Sequence, residues 1–338
     1  MLITHQHPLN KSIMVAVLGS PNVGKSSLIN YLMGMDLSIV SPRAQTTRNK
    51  INCVFTVDHT EIILVDTPGL HIGGNEINKR MNEQAREGVE GADLNLVMID
   101  LTRQVLPQLA EFKKLMGESE LGAAWIVFTK GDLVENSESL PLAELVEKVK
   151  EELPSVEKYF VISSKTGDNI HQLTGALVDR AESGPHLYPN GEVSDKNERF
   201  FVSEYIREQA FDLLKDELPY EMAVVVEDFK DFRDRDGRCK AESKIFSHIA
   251  ATILVNRPSQ RAIVVGTKGM MIKEIGTRSR QKIESMIGGK INLNLHVKVS
   301  PKWFKNNLVL EQLGLPRAKD SARVWHARET KVANKVME

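Results

Sequence analysis

The segment GSPNVGKSS at 19–27 carries residues that can hold a chain of phosphates. Its spacing fits the pattern G-x-x-x-x-G-K-[ST], and it lies between the apolar run IMVAVLG and a helical pattern at 25–34. Glycines let backbone N–H groups curl around phosphate oxygens, and the helix directs the positive end of its dipole at the anion. Lys25 can reach the β- and γ-phosphates, and the Ser26 hydroxyl can ligate Mg²⁺. We assign to this nucleotide-binding loop Gly19, Asn22, Val23, Gly24, Lys25, Ser26 and Ser27.

Two later segments can complete a metal site. Asp66 ends the apolar strand pattern of ILVDTPGL, where a carboxylate can hold Mg²⁺ directly or through water, and the Gly69 N–H can approach a γ-phosphate. The polar segment at 41–50 offers Thr46 or Thr47, whose hydroxyl can reach the metal when a γ-phosphate is present. Such a loop orders with a triphosphate and relaxes after hydrolysis. The expected metal ligands are Ser26, Thr47 and Asp66, and the expected catalytic groups include Lys25, Thr47 and Gly69.

The stretch WIVFTKGDL at 125–133 predicts a base-binding element. Ligands of a parallel sheet bind at the carboxyl ends of its strands, where the run KYFVIS also ends and leads into SSKTG. The Asp132 carboxylate can accept two hydrogen bonds from guanine N1–H and N2–H₂, a donor pair that adenine lacks. Lys130 can lay its stem along the base, and N–H groups around Ser164 and Lys165 can donate to O6. The predicted base site consists of Thr129, Lys130, Asp132, Ser163, Ser164 and Lys165.

The apolar runs of the first half of the chain alternate with helical stretches, which indicates an α/β domain with a mainly parallel sheet over 10–181. Most runs are apolar at nearly every position, as in strands that are covered on both faces. Two of the runs are joined too tightly for a helix and should form an antiparallel edge hairpin. The runs lie at 13–19, 51–57, 61–66, 94–100, 123–129 and 158–163, and the helical stretches include 25–34, 76–91 and 141–152.

Residues 182–197 are rich in Gly, Pro, Ser and charge, and this composition predicts a linker. An α+β unit over 198–305 follows, and 306–338 form a C-terminal extension. The patterns of the unit predict a helix at 199–218, strands at 220–232, 237–255 and 291–299, and a helix from about 269 to 287 after the run AIVVG.

Basic residues are concentrated in the second unit, although the net charge of the whole chain is only −1. The segment from Arg261 to Lys305 contains ten basic residues and only two acidic ones. This imbalance favours a polyanion as a binding partner over a helix face that contacts only solvent. A membrane surface is the alternative partner, although no amphipathic anchor stands out. Two distant cysteines and the lack of an apolar leader or spanning run predict a cytoplasmic protein, with the inner membrane as a peripheral second location.

The motifs GSPNVGKS, QTTR, DTPG, TKGD and SSK, in this order, resemble those of translation-factor-like GTPases. With the sequence GTKG at 266–269, a signature of KH domains, the chain resembles the Era family of bacterial GTPases over roughly residues 10–305. KH domains clamp single-stranded nucleic acid at such a GXXG loop. The resemblance implies a P-loop NTPase G domain followed by an α+β KH domain of type II topology. The RNA-binding residues would be Gly266, Thr267, Lys268, Gly269, Lys273, Arg278 and Arg280.

The same resemblance implies GTP and GDP as ligands, Mg²⁺ as cofactor and hydrolysis of GTP to GDP and phosphate. It further implies that a monomer binds the 3′ end of small-subunit ribosomal RNA in the pre-30S particle and acts in small-subunit assembly. Leu70 takes the position of a water-orienting Gln, which implies slow intrinsic turnover. Several relatives with an apolar residue there use K⁺, held partly by a P-loop Asn, so Asn22 joins the catalytic residues.

The chain departs from the family pattern at two further places. Thr129 replaces the Asn of Asn-Lys-x-Asp and can supply a hydroxyl but no amide, so we expect an effect on affinity rather than specificity. The tail after residue 315 continues where the family usually stops.

Two other functions compete with this interpretation. A P-loop kinase or ATPase would lack the Lys-x-Asp and Ser-Ser-Lys elements at the sheet edge. The second is an RNA-binding scaffold whose G domain binds nucleotide but hydrolyses it weakly, and Leu70 and Thr129 leave this alternative open.

Overall fold

The computed structural model describes residues 6–40, 47–69, 76–116, 121–133, 142–189, 191–234, 239 and 245–315. The chain divides into two compact units, Met1–Lys196 and Asn197–Glu338. The sequence-based interpretations of Thr46, Leu70 and residues 316–338 concern positions outside the described residues.

The first unit contains a mainly parallel sheet in the order β2-β3-β1-β4-β5-β6, as the sequence predicts. Strands β2 and β3 form the predicted antiparallel hairpin at one edge, and every other neighbour along this path is parallel. The strands are β1 (Lys11–Gly19), β2 (Ile51–Val57), β3 (Thr60–Asp66), β4 (Leu94–Asp100), β5 (Ala124–Thr129) and β6 (Val156–Val161). The helices are α1 (Lys25–Met33), α2 (Glu76–Glu90), α3 (Val105–Met116), α4 (Leu142–Glu152) and α5 (Ile170–Arg180).

Every residue of strands β3, β4 and β5 is buried, which explains why their sequences are almost continuously apolar. The last residue of each strand is buried but polar: Asp66 in β3, Asp100 in β4 and Thr129 in β5. A buried polar residue is stable only when it has partners. The sheet therefore brings three buried polar side chains to the one edge at which parallel strands end.

Most of the predicted linker belongs to the first unit, and its described residues are 182–189 and 191–196. β7 (Glu182–Ser183) pairs antiparallel with β1, and an antiparallel bridge joins Cys53 to Ser194. The Val54 N–H donates to Val193 O at 2.9 Å, and Ser194 Oγ donates to Asn52 O at 2.8 Å. We call residues 187–189 and 191–196 the strap. Because the strap occupies the free edge of β2, the first unit extends beyond residue 181.

The second unit has the element order α-β-β-α-α-β, and its sheet has the order β10-β9-β8. The central strand pairs antiparallel with β8 and parallel with β10, which is the predicted type II KH topology. The elements are α6 (Glu198–Leu213), β8 (Ala223–Asp231), β9 (Ile245–Val255), α7 (Pro258–Val265), α8 (Met270–Ile287) and β10 (Lys290–Val299), followed by α9 (Asn307–Gln312).

The run AIVVG, for which the pattern alone indicates no element, lies mainly in α7. Pro258 is a favourable first residue for a helix, and Gln260 Oε1 accepts from the N–H groups of Asn256 and Arg257 at 2.8 and 2.9 Å. Of the helices in the described ranges, none combines the length and apolarity that a membrane crossing demands.

Candidate functional site

The loop between β1 and α1 has the backbone conformation that its glycines allow. A Cβ atom on Gly19, at φ 144°, would lie 2.6 Å from Met98 O, so no larger residue fits there. Gly24 at φ 103° caps α1, and Asn22 adopts a left-handed φ of 63°. Non-glycine residues in that region are uncommon and cluster at functional sites. The sequence thus forms a strained loop at the positive end of a helix.

Lys25 is buried within this loop. Its Nζ donates to Gly19 O at 2.9 Å and to Ser20 O at 3.0 Å. Burial lowers the pKa of Lys25 to about 8, although the nearby Asp66 charge raises it. A desolvated ammonium held by loop carbonyls can bind an anion strongly, since little water has to be displaced.

The three predicted metal ligands lie together. Ser26 Oγ is 3.3 Å from Thr47 Oγ1, which is 3.4 Å from Asp66 Oδ2. Asp66 is fully buried, and its Oδ1 has no hydrogen-bond partner in the described part of the chain. Burial raises the pKa of Asp66 to about 6, against the lowering effects of Ser38, Lys25 and Thr47. Two hydroxyls and a carboxylate with an unpaired oxygen form an all-oxygen donor set that fits Mg²⁺.

One residue of this cluster, Ser38, is not among the residues predicted from the sequence. Its hydroxyl donates to Asp66 Oδ2 at 2.7 Å, and both side chains are buried. No motif or spacing separates this serine from an ordinary loop serine, because only the folded chain brings it to Asp66. Gly69 is buried and is the last described residue before position 76, so the role of its N–H towards a γ-phosphate stays a prediction.

Thr129 connects the end of β5 to the phosphate loop. Its buried Oγ1 lies 2.7 Å from Val23 O and 3.3 Å from Ile99 O, and the shorter distance identifies the acceptor. The departure from Asn therefore preserves a hydrogen bond between the predicted base side and the phosphate side. It supplies no amide for a further bond.

Lys130 is held by a second residue that sequence analysis missed, Asp100. The Lys130 Nζ lies 2.5 Å from Asp100 Oδ2, while Asp100 Oδ1 accepts from the N–H and the hydroxyl of Thr102 at 2.9 and 2.6 Å. Burial would raise the pKa of Asp100, but these hydrogen bonds outweigh it and lower the pKa. The ion pair links the residue that follows β5 to the last residue of β4.

The two predicted base-binding elements are adjacent. The Gly131 N–H donates to Ile162 O at 3.0 Å, which places the residues after β5 beside the end of β6. The half-buried Asp132 carboxylate has no hydrogen bond or ion pair with any described residue. Ser163 Oγ accepts from the N–H groups of Lys165 and Thr166 at 3.2 Å each. The N–H groups of Ser164 and Lys165 are the two predicted donors to guanine O6. Of these, the Lys165 N–H already donates to Ser163 Oγ.

The GXXG sequence of the second unit forms a tight loop between α7 and α8. Gly266, Lys268 and Gly269 have φ values of 71°, 51° and 76°. A Cβ on Gly266 would lie 2.7 Å from the Cβ and 2.9 Å from the N of Met271, so the loop backbone closely approaches α8. Lys268 is exposed at the tip of the loop.

The other predicted RNA-binding side chains are exposed on α8. Arg278 Nε is paired with Glu274 Oε1 at 2.7 Å. Neither Lys273 nor Arg280 has an ion pair within the described ranges. Among the described residues, Lys268, Lys273 and Arg280 are therefore three exposed cations without an acidic partner.

Comparison with known proteins identifies the family. Residues 14–130 match the family described as 50S ribosome-binding GTPase, and residues 217–304 match the KH domain. GTPase Era of Lacticaseibacillus paracasei is 38% identical over 307 residues, which are 89% of this chain and 95% of that protein. The chain belongs to the GTPase Era family. GTPase Era of Thermotoga maritima is 35% identical over 90% of this chain and 97% of that protein.

Two solved Era structures are similar to most of this chain. The structure of Era in complex with MgGDPNP and nucleotides 1506–1542 of 16S ribosomal RNA has a TM-score of 0.82 at 29% identity. A variant of Aquifex aeolicus Era bound to GDP and AlF₄⁻ has a TM-score of 0.78 at 30% identity, and each covers 91% of this chain and all of the solved chain. The chain is thus a GTPase with a C-terminal KH domain, and the kinase or ATPase alternative is wrong.

Thr129→Val tests the link between the base side and the phosphate side. Valine keeps the shape of threonine but leaves Val23 O without its donor, so we expect GDP binding to weaken by about 1 kcal/mol, roughly fivefold. The preference for GDP over ADP should stay unchanged, because the substitution does not alter Asp132. Displacement of a fluorescent GDP measures both. Thr129→Ser, which retains the hydroxyl, should bind GDP like the native protein; equal affinity of the valine variant would show that this bond contributes nothing.

Proposed function

We propose that this GTPase is a switch protein that binds the 3′ end of small-subunit ribosomal RNA and acts in small ribosomal subunit assembly. The observation that carries the proposal is the presence, in one chain, of the buried Lys25 loop and the exposed GXXG loop at 266–269. The Era structure with MgGDPNP and 16S ribosomal RNA supports it, because the likeness covers both units. The proposal extends to a monomer that acts on the pre-30S particle in the cytoplasm, with peripheral contact at the inner membrane.

At the phosphate side, we propose that Lys25 exchanges its carbonyl acceptors for β- and γ-phosphate oxygens. Backbone N–H groups from Gly19 to Ser27 surround the phosphates, and the Gly69 N–H approaches the γ-phosphate. Ser26, Thr47 and Asp66 would hold Mg²⁺. When bound, Mg²⁺ supplies positive charge that offsets the charge of the phosphates.

At the base side, Asp132 would accept the guanine N1–H and N2–H₂ groups, and the Ser164 N–H would donate to O6. The Asp132 carboxylate has no partner among the described residues, which supports this role, since none of those residues has to release it before a ligand binds. The ion pair with Asp100 supports a role of Lys130 as a fixed apolar surface for the base. Ser163 shapes the loop that carries Ser164 by accepting two N–H groups.

A path along the chain supports coupling between nucleotide and RNA. Residues 47–50, which include Thr47, lead directly into β2, and the Lys50 N–H donates to Gln84 Oε1 of α2 at 2.8 Å. The strap pairs with β2 and leads to Asn197, the first residue of the second unit. We propose that GTP orders the loop that contains Thr47 and thereby changes the RNA affinity.

The RNA-binding scaffold with weak hydrolysis remains the alternative within the family. Its strongest argument, Leu70, lies outside the described residues. A single-turnover measurement of GTP hydrolysis separates it from the switch proposed above, because a switch must hydrolyse its bound GTP.

Asp132→Asn tests the guanine assignment. An amide presents a donor to guanine N1–H and N2–H₂, so we expect roughly a 100-fold loss of GTP affinity from two bonds to a charged acceptor. XTP, which has a carbonyl at C2, should become the better substrate. GTP and XTP hydrolysis by both proteins, with and without short single-stranded RNA, provides the measurement. A native protein that prefers XTP would exclude Asp132 as the base-recognising residue.

Lys268→Ala tests the nucleic-acid loop. Loss of one phosphate contact should weaken binding of small-subunit RNA 3′-end fragments for all sequences and lower the salt slope by about 1. Titrations with RNA at several salt concentrations measure this effect. Repeating them with a GTP analogue and with GDP measures how far the RNA affinity depends on the bound nucleotide. Lys230→Ala is the matched control, because Lys230 is an exposed lysine of β8. Equal effects of the two substitutions would contradict a specific role of the loop.

Asn22→Ala tests the proposed K⁺ dependence. Asn22 stands in the phosphate loop in a left-handed conformation, three residues before Lys25. We expect the native protein to hydrolyse GTP faster in KCl than in NaCl, and the variant to lose this difference. The test is the GTP turnover of both proteins in KCl and in NaCl at equal ionic strength. Equal rates in both salts, unchanged by the substitution, would remove K⁺ from the mechanism.

A further inference from the structure

Asn30 of α1 fixes the loop that follows its helix. Its Nδ2 donates to Ser38 O at 2.8 Å, and its Oδ1 accepts from the N–H groups of Leu37 and Ser38 at 3.0 and 2.9 Å. A single amide thus satisfies three backbone groups of two successive residues. Because Leu37 and Ile39 are also buried, the backbone of Ser38 is held from the helix side and from the core.

The fixed backbone presents the Ser38 hydroxyl to Asp66. Ser38 Oγ donates to Asp66 Oδ2 at 2.7 Å, the shortest hydrogen bond that is recorded for this carboxylate in the described part of the chain. Thr47 Oγ1 is 3.4 Å from the same oxygen. Both bonds are thus directed at Oδ2, and Oδ1 is buried without a partner among the described residues.

The helix that carries Asn30 also carries the other side of the cluster. Ser26 lies four residues before Asn30 on α1, so the two side chains are separated by about one helical turn. The same rigid element therefore sets the position of the Ser26 hydroxyl and, through Ser38, the position of the carboxylate. Loss of a partner that orients a metal ligand in this way typically lowers metal affinity by about 10- to 100-fold.

We propose that Ser38 and Asn30 are positioning residues of the metal site: Asn30 holds the Ser38 backbone, and the Ser38 hydroxyl fixes the Asp66 carboxylate so that one oxygen is left for the metal shell. The inference rests on the proposed Mg²⁺ site of Ser26, Thr47 and Asp66. It assigns a role to residues that lie outside the sequence motifs of the nucleotide site.

The test is the release of a fluorescent GDP from the full chain as MgCl₂ is varied, which requires no hydrolysis. Ser38→Ala should raise the Mg²⁺ concentration for half-maximal slowing of release by roughly tenfold, the lower end of the usual effect of such partners. In EDTA, the variant and the native protein should release GDP at equal rates. Asn30→Ala should shift the Mg²⁺ dependence in the same direction. The double variant should show less than the sum of the two effects, because both act through one hydrogen bond.

Ser279→Ala is the matched control. Ser279 is a fully buried serine of the second unit whose hydroxyl donates to Ile275 O, also at 2.7 Å. Its loss should leave the Mg²⁺ dependence unchanged. An unchanged Mg²⁺ dependence in Ser38→Ala would overturn the inference. Faster release in EDTA without a shifted Mg²⁺ dependence would also overturn it, since it indicates a purely structural role. Native protein that binds GDP with no Mg²⁺ dependence would instead disprove the proposed metal site on which the inference rests.

Discussion

The burial of two opposite charges, Lys25 and Asp66, is the constraint around which the first unit is organised. Transfer of a charged group from water into a protein costs several kcal/mol unless partners replace the water. The pKa of Lys25 falls to about 8 and that of Asp66 rises to about 6, so burial moves both groups toward neutrality. The carbonyls of Gly19 and Ser20 stabilise one charge, and two hydroxyls stabilise the other. The carbonyls and hydroxyls stabilise the two charges only in part. A bound anion at Lys25 and a bound cation at Asp66 would complete this stabilisation.

The parallel sheet makes this arrangement possible because its strands end at one edge. At this edge, side chains link segments that are distant in sequence. Thr129 at the end of β5 donates to Val23 O of the phosphate loop, and Lys130 donates to Asp100 at the end of β4. A threonine can replace an asparagine in the first link, since the acceptor is a backbone carbonyl that needs one donor. The hydrogen bond is retained, whereas the second bonding capacity of an amide is lost.

Local patterns in the sequence predict most of this fold and the motifs of the site. Continuous apolar runs indicate strands that are covered on both faces, and glycine spacing indicates the phosphate loop. Ser38 and Asp100 could not be found in this way, because each acquires its role from a partner about 30 residues away. The run AIVVG is too short for its periodicity to decide between strand and helix, and Pro258 and Gln260 begin the helix. The composition of 182–197 predicts a linker but does not predict the hydrogen bonds that join residues 193–195 to β2.

Those hydrogen bonds give the strap a structural purpose. A free edge of β2 would expose unpaired backbone groups, and the strap satisfies part of them. The buried Glu61 carboxylate accepts from the N–H groups of Leu187 and Tyr188 at 2.7 and 3.1 Å, so the strap is also held by a charge.

Charged residues at the end of the strap also act on the segment that contains Thr47. The pKa of Lys50 is lowered by burial, and the charges of Glu87, Lys196 and Asp195 act on it with opposite signs. Lys50 lies three residues after Thr47, and Lys196 is the last residue of the first unit. Lys50 and the end of the strap are therefore electrostatically linked at the point in the sequence where the second unit begins.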